Sequence, residues 1–220
     1  MRSETAAFIE SLRERCGAAR AEWDKRYMKS ARAHWGVSTP EIVAAIRTLR
    51  PLSEPIRLRV ATELWREEVF DLRIAAARIV AGLSDAADAK TWRFLTDRMA
   101  ELDGWAIADN FADAAGPRII ASPDRLDEVE KWTTSPHLWT RRASLVFTLA
   151  WMRSGRSPER MLGWAARLVE DREWFIQKAI GWWLRELGKR DAPRVRAWLA
   201  AHGAGLKAFA RKEAEKYLLR

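Results

Sequence analysis

The segment Glu173–Glu186, EWFIQKAIGWWLRE, decides the fold class. Lys178 and Trp182 stand four residues apart, as do Trp182 and Glu186, and an i, i+4 pair lies one above the other on a helix face. Gly181 falls in mid-helix, where it costs about 1 kcal/mol relative to alanine. A glycine is tolerated there when another backbone or a ligand must come close. Tight helix packing and ligand approach are both open readings of this position.

The same character extends outward from this segment. Ala, Leu, Arg and Glu dominate, and extended Val/Ile/Thr alternation is absent, so helix is expected throughout. Helices are predicted over about residues 3–20, 39–49, 54–67, 70–83, 88–100, 104–114, 124–134, 138–152, 158–169, 173–189, 191–201 and 207–219. Their starts are signalled by Ser38-Thr39-Pro40-Glu41, Ser53-Glu54-Pro55 and Ser157-Pro158-Glu159, where a hydroxyl residue and a proline suit the first turn. Stops are expected at Gly82, Gly155 and Gly203. Helices paired about every 35 to 40 residues predict an all-α solenoid of antiparallel helix pairs, whose concave side is the usual binding surface. No Pro-, Gly- or Ser-rich linker divides the chain, so residues 1–220 are expected to form a single domain.

Composition narrows the function classes. A chain of 220 residues can bury a sizeable core. It has no run of the roughly 20 apolar residues that a bilayer requires, and no membrane partner is expected. The opening Met1-Arg2-Ser3-Glu4 places an acid before any apolar run, unlike a secretory signal. The single Cys16 excludes an internal disulfide framework and points to the cytoplasm. Three histidines and that cysteine cannot assemble a zinc site, and no metal or other cofactor is expected.

Charge is placed unevenly. Residues 141–220 carry 18 Lys and Arg against 8 Asp and Glu, a net of +10, whereas residues 1–140 carry 21 against 22. Such an asymmetric basic field suits a polyanion, because each neutralised phosphate releases condensed counterions. A solvated basic surface is the alternative.

Thirteen tryptophans are many for this length. Trp65, Trp92, Trp132, Trp151, Trp164 and Trp198 sit in apolar helical settings and are expected in the core. Trp105 differs, because Asp109 follows it by four residues on the same helix face. A carboxylate beside Ala108 and Phe111 is costly without partners. Either Asp109 caps or pairs internally while Trp105 fills the core, or the two form a site. Arg141 and Arg142 lie just inside the start of a helix, where the dipole disfavours cations, so either a carboxylate or phosphate compensates them or they are two solvated arginines on a helix surface. The patch Trp23-Asp24-Lys25-Arg26-Tyr27-Met28-Lys29 mixes aromatic and basic residues, with Tyr27 able to stack or donate a hydrogen bond. Lys207, Arg211, Lys212 and Lys216 form a last-helix face that contacts a polyanion or is solvated.

Several of these segments, in order, resemble one family. They are Tyr27-Met28-Lys29, Gly36-Val37, Leu64-Trp65, Trp105 with Asp109, Trp139 with Arg142-Ala143, Phe175 through Trp182 with Leu184-Arg185-Glu186, and Arg211-Lys212-Glu213-Ala214. Together they resemble the bacterial DNA alkylation repair glycosylases built of HEAT-like repeats, through about residues 23–218. The resemblance implies a HEAT-like solenoid with a concave basic face holding duplex DNA. It also implies excision of cationic N3- or N7-alkylated purines without base flipping, in contrast to most enzymes acting on bases.

By the resemblance, Asp109 is the catalytic carboxylate, Trp105 and Trp182 are the indoles facing the damaged nucleotide, and Arg142 holds both the carboxylate and a phosphate. Tyr27, Lys29, Arg141, Lys178, Arg211 and Lys212 are the expected DNA contacts. An alkylated purine is already cationic, so the leaving group needs no general acid. A fixed carboxylate instead stabilises the positive charge that develops at deoxyribose C1′, and indole faces favour the same cation. The chain departs from the family at Gly104 and Ala106, where a tryptophan and an aspartate are frequent, making the neighbourhood of Asp109 less bulky and less acidic.

Other readings remain. A non-catalytic HEAT-like module would use the same basic third but gain nothing from Asp109 on its binding face. A protein-interaction solenoid would not need the +10 segment. The protein is expected to act as a monomer, in a bacterial cytoplasm, associated with the nucleoid through DNA.

Overall fold

Ser38 opens a helix by a reciprocal cap. Its hydroxyl accepts the Glu41 backbone N–H at 3.4 Å, while the Glu41 carboxylate accepts the Ser38 backbone N–H at 2.8 Å. Pro40 stands in the first turn, where its missing N–H costs nothing. In the computed structural model, which describes residues 3–28, 30–84 and 88–218, local signals of this kind produce fourteen α-helices among the described residues. The order is α1 (Ser3–Arg13), α2 (Ala18–Met28), α3 (Thr39–Arg47), α4 (Glu54–Trp65), α5 (Phe70–Ala81), α6 (Asp88–Thr96) and α7 (Trp105–Ala121). There follow α8 (Arg125–Trp132), α9 (Leu138–Val146), α10 (Leu149–Arg153), α11 (Glu159–Leu168), α12 (Trp174–Gly188), α13 (Ala192–His202) and α14 (Ala208–Ala214). One isolated bridge joins Ala33 and Val69, and among the described residues there is no named strand. The fold is all-α, with helices stacked as antiparallel pairs in the HEAT-like manner. No described helix is long and apolar enough to cross a membrane.

The chain divides by compactness into Met1–Arg118 and Ile119–Arg220. In the first unit, α4 packs on α5, and α3 and α1 close over them. Helix α5 is buried on nearly every side, including Asp71 and Arg73. Trp65, Phe94 and Phe111 fill the centre as a three-ring cluster with centroids 5.0 to 6.1 Å apart. In the second unit, α12 is the central helix, packed by α14, α9, α13, α10 and α11. Trp164 and Trp183 are fully buried there, and the Trp198 indole N–H donates to the Leu162 carbonyl at 3.0 Å.

Several boundaries differ from the sequence reading. The first predicted helix ends at Arg13, and a separate α2 follows after Gly17. Gly36, at φ 71°, passes so close to Gly17 and Ala21 that a Cβ there would collide with their backbone. Helix α7 runs on through Gly116-Pro117 to Ala121. Both Asp113 and Pro117 are exposed, so the carbonyl left without a donor four residues before the proline faces water. The predicted helix over 138–152 is two helices, α9 and α10. Gly82 and Gly203 are the C-caps of α5 and α13, and Gly155, at φ 80°, follows the end of α10. Pro158, not Ser157, is the N-cap of α11, and Ser53 caps α4 without a side-chain hydrogen bond. Five of the six tryptophans assigned to the core are buried. Trp151 is half-buried instead, with its indole N–H on the Ser157 carbonyl and Arg156 over its ring.

Candidate functional site

Helix α7 has two faces. Ile107, Ala108, Phe111, Ala114 and Ala115 are fully buried, while Trp105 and Asp109 lie one turn apart on the half-buried side that continues to the exposed Asp113. Trp105 is therefore not core, and Asp109 shares its face as the four-residue spacing requires. Asp109 takes part in further interactions within the chain. Ala106 is buried, and a Cβ at Gly104 would meet only the Met28 carbonyl, at an ordinary 3.7 Å.

Tyr27 presents its ring at a right angle to the Trp105 indole, with centroids 5.7 Å apart. On its other side Tyr27 stacks with Trp23 at 4.8 Å. The three rings make an aromatic strip along α2 and the start of α7, and Trp23 and Tyr27 are 50% and 54% exposed. Lys29 lies outside the described residues.

The entry to α7 is tied down by charge. Asp103 accepts from the Ser30 hydroxyl at 2.8 Å and pairs with the Arg32 guanidinium at 3.0 Å. Arg32 also pairs with Glu68 and reaches the Glu101 carbonyl. Arg73, buried over the face of Trp65, pairs with Glu68 and Glu101, and the Trp65 indole N–H donates to Glu101 at 2.8 Å. Burial and the neighbouring Arg32 charge push Arg73 below the usual guanidinium range, and Glu68, Glu101 and Asp103 oppose this. Asp71, from the first turn of α5, accepts the Trp35 and Val37 backbone N–H groups at 2.8 Å each, fixing the segment that leads from α2 into α3.

In the second unit, EWFIQKAIGWWLRE forms α12 and its cap, and the structure separates the roles that the sequence had left mixed. The Gln177 amide is fully buried and fully used: it donates to the Val169 and Asp171 carbonyls and accepts the Lys207 backbone N–H at 2.7 Å. Gly181 meets the backbone of Ala210 in α14, so close helix packing explains the glycine. Glu186 is buried among cations. Burial pushes its carboxyl up, but hydrogen bonds from Lys189 and Arg185 and the charge of Arg153 outweigh this and bring it to about 2.

The outer side of α12 carries Trp174, Lys178 and Trp182 at successive turns, with Trp182 half-buried. The Lys178 ammonium sits 4.7 Å above the Trp174 ring, which stacks with Phe209 of α14 at 5.4 Å. Trp174 and Phe209 are 45% and 37% exposed. Lys212 is exposed and makes no ion pair among the described residues, while Arg211 is exposed and paired with Glu215 at 2.8 Å.

The paired arginines have separate partners. Arg141 donates to Asp171 at 2.8 Å and to the Ser135 and Pro136 carbonyls. This is the compensation its place in a helix's first turn demanded, and it comes from within the chain. Arg142 is 2% exposed and donates to the Phe175 carbonyl at 2.9 Å, among other interactions. Both guanidinia have partners within the chain.

Sequence reasoning passed over Trp174 and Phe209, and treated Trp23 only as part of a mixed patch. For Trp23 the available signal was a large apolar residue set among charges on a helix with no apolar face to join.

A family model described as DNA alkylation repair enzyme matches residues 8–218. The chain belongs to this family. Among solved structures, a predicted DNA alkylation repair enzyme from Enterococcus faecalis is 18% identical, with TM-score 0.76 over 94% of this chain and 98% of that one. AlkD2 from Streptococcus mutans is 20% identical, with TM-score 0.60 over 82% and 90%. The smu.31 protein of Streptococcus mutans UA159 is 19% identical, with TM-score 0.60 over 94% and 100%. No curated protein matches. At these identities the structural likeness establishes the HEAT-like fold, and family membership rests on the match across nearly the whole chain.

Proposed function

We propose that this DNA alkylation repair family member is an alkylpurine DNA glycosylase. It hydrolyses the N-glycosidic bond of N3- or N7-alkylated purines in duplex DNA, without base flipping, and leaves an abasic site. The observation that carries the reading is the half-buried face of α7, where Asp109 follows Trp105 by one turn, opposite the buried face of Ile107, Phe111 and Ala114. A carboxylate on that face has no use in binding phosphate and a direct use in stabilising a cationic sugar.

The C1′–N bond breaks with its electron pair passing into the positively charged purine, which leaves neutral. Positive charge grows on C1′, where the Asp109 carboxylate and the Trp105 indole supply negative potential. Water attacks C1′, loses a proton and completes the hydrolysis. The leaving group already carries its charge, so the step needs no general acid. Trp182, Lys178 and Lys212 are assigned to DNA contact. Arg141 is assigned to DNA contact and Arg142 to the catalytic set, and within the chain they also bond Asp171 and the Phe175 carbonyl.

The test is release of free 7-methylguanine and 3-methyladenine from methylated duplex DNA, with abasic sites counted in parallel. Equal yields of base and abasic site support the reading. Salt-dependent DNA binding without release of either base would replace it with the non-catalytic module.

A further inference from the structure

Trp105 stands where the local backbone fixes little. It is the first residue of α7, and Gly104 precedes it with no side chain to anchor the turn. A Cβ at Gly104 would meet only the Met28 carbonyl, at 3.7 Å, so crowding does not hold the helix entry either. The Tyr27 ring that meets Trp105 edge-on at 5.7 Å comes from α2, whose only buried residue is Asp24. Helices normally keep their place through a buried apolar face, and α2 lacks one. A polar joint ties the two segments together. Three residues after Tyr27, the Ser30 hydroxyl donates at 2.8 Å to Asp103, two residues before Trp105. That hydroxyl also accepts the Arg32 backbone N–H at 3.3 Å, and the Arg32 guanidinium lies 3.0 Å from the same Asp103 oxygen. Ser30 is buried, so water does not compete for the bond. The other Asp103 oxygen is buried with no hydrogen bond among the described residues. An acceptor left so costs stability, and stability alone is a poor reason for this carboxylate.

We propose that Asp103 and Ser30 are positioning residues for base excision: their bond clasps the end of α2 to the entry of α7 and sets the Trp105 indole in place. Neither residue serves the substrate directly. Ser30 is buried, and the Asp103 oxygen facing it is shared with Arg32. Their effect passes through Trp105, which supplies negative potential to the sugar only where its ring is held. A misplacement of about 1 Å at a reacting group can cost a hundredfold in rate. With Gly104 beside it and α2 without an apolar seat, the clasp is what limits that movement. The proposal rests on the glycosylase reading for the reaction that it serves.

The experiment compares parent, Asp103→Ala, Asp103→Asn, Ser30→Ala and the double alanine variant for affinity to methylated duplex DNA and for single-turnover base release at saturating protein. Without Asp103, Arg32 keeps Glu68 and the Ser30 hydroxyl keeps the Arg32 N–H, so no buried charge is stranded and the fold survives, as the Tm would record. Asp103→Ala is expected to slow saturated release about ten- to a hundredfold with Kd within several-fold of the parent. Asp103→Asn, which keeps an acceptor for Ser30, should recover most of the rate. The double variant should be no slower than the slower single one, as for two partners of one bond. Ser38→Ala, which removes the α3 cap, is the structural control: its Tm falls and its saturated release stays at the parent value. Hydrogen exchange across 105–110, read in parallel, should quicken in Asp103→Ala. Equal release by Asp103→Ala and the parent, independent effects of the two residues, or an equal loss in Ser38→Ala would overturn the proposal. Failure of the glycosylase reading is a separate outcome, in which the parent releases no base. Faster exchange across 105–110 in Asp103→Ala would then keep the clasp, and unchanged exchange would overturn it.

Discussion

Gly181→Ala should destabilise the protein although it places the best helix former in mid-helix. On an open helix surface the substitution would gain about 1 kcal/mol. At Gly181 the added Cβ would lie 2.6 Å from the Ala210 carbonyl oxygen, 3.1 Å from its Cα and 3.2 Å from its carbonyl carbon. All three atoms are backbone, so no rotamer change relieves the clash and α14 must move. Overpacking of this kind costs about 1 to 3 kcal/mol, and displacing α14 also strains the 2.7 Å bond from the Lys207 N–H to buried Gln177. With the propensity gain subtracted and the strained Gln177 bond added, the expected net loss is up to about 2 kcal/mol, or a Tm drop of up to roughly 8 °C for a chain of this size. Gly163 is the control: it lies inside α11, is exposed, and a Cβ there meets nothing within 4 Å. Gly163→Ala should raise stability by up to about 1 kcal/mol. Paired thermal and urea unfolding would measure both signs. A Gly181→Ala protein as stable as the parent would refute the argument that α14 seats on this glycine.

Other perturbations have worked signs. Asp71→Asn replaces a carboxylate that accepts two backbone N–H groups at 2.8 Å with an amide whose NH2 opposes one of them. The urea midpoint should fall by the equivalent of about 2 to 4 kcal/mol, and an unchanged midpoint would remove Asp71 as the anchor of segment 35–37. Glu186, held at about 2 against an ordinary 4.5, binds its proton more weakly folded than unfolded. Its contribution, of the order of 3 kcal/mol, is therefore present above about pH 4.5 and lost as pH falls towards 2. The stability gap between the parent and Glu186→Gln should shrink between about pH 6 and pH 3; a gap of constant size would contradict the assignment.

The fold class was legible because helix propensity and spacing agree along most of the chain. The reciprocal cap at Ser38 and Glu41 was readable for the same reason, being contained in four residues. Helix α2 was not readable as a separate element, since its apolar residues mark no buried face. The end of α7 was misplaced because Gly116-Pro117 is a stop signal by local rules. The exposed position of Pro117 makes it tolerable, and exposure is a tertiary property.

The candidate site divides in the same way. The pairing of Trp105 and Asp109 on one face follows from spacing alone, and their half-buried setting bears out the geometry that spacing implies. The partners of Arg141 were invisible, because Asp171 is thirty residues further along the chain. Gln177 looked like any polar residue of a helix. Its three hydrogen bonds depend on the loop before α12 and the start of α14, which no local pattern brings together. Gly181 showed that something approached closely, and only the packing of α14 identified it as backbone.

The most direct test of the account compares the parent with Asp109→Asn for release of 7-methylguanine and 3-methyladenine from methylated duplex DNA, at one salt concentration and saturating protein. The substitution preserves shape and removes the charge assigned to the transition state. The account predicts that DNA affinity stays within several-fold while release falls by about a hundredfold or more, the scale of losing one preorganised electrostatic group. Equal release by both proteins would contradict the role of Asp109 and, with it, the proposed chemistry.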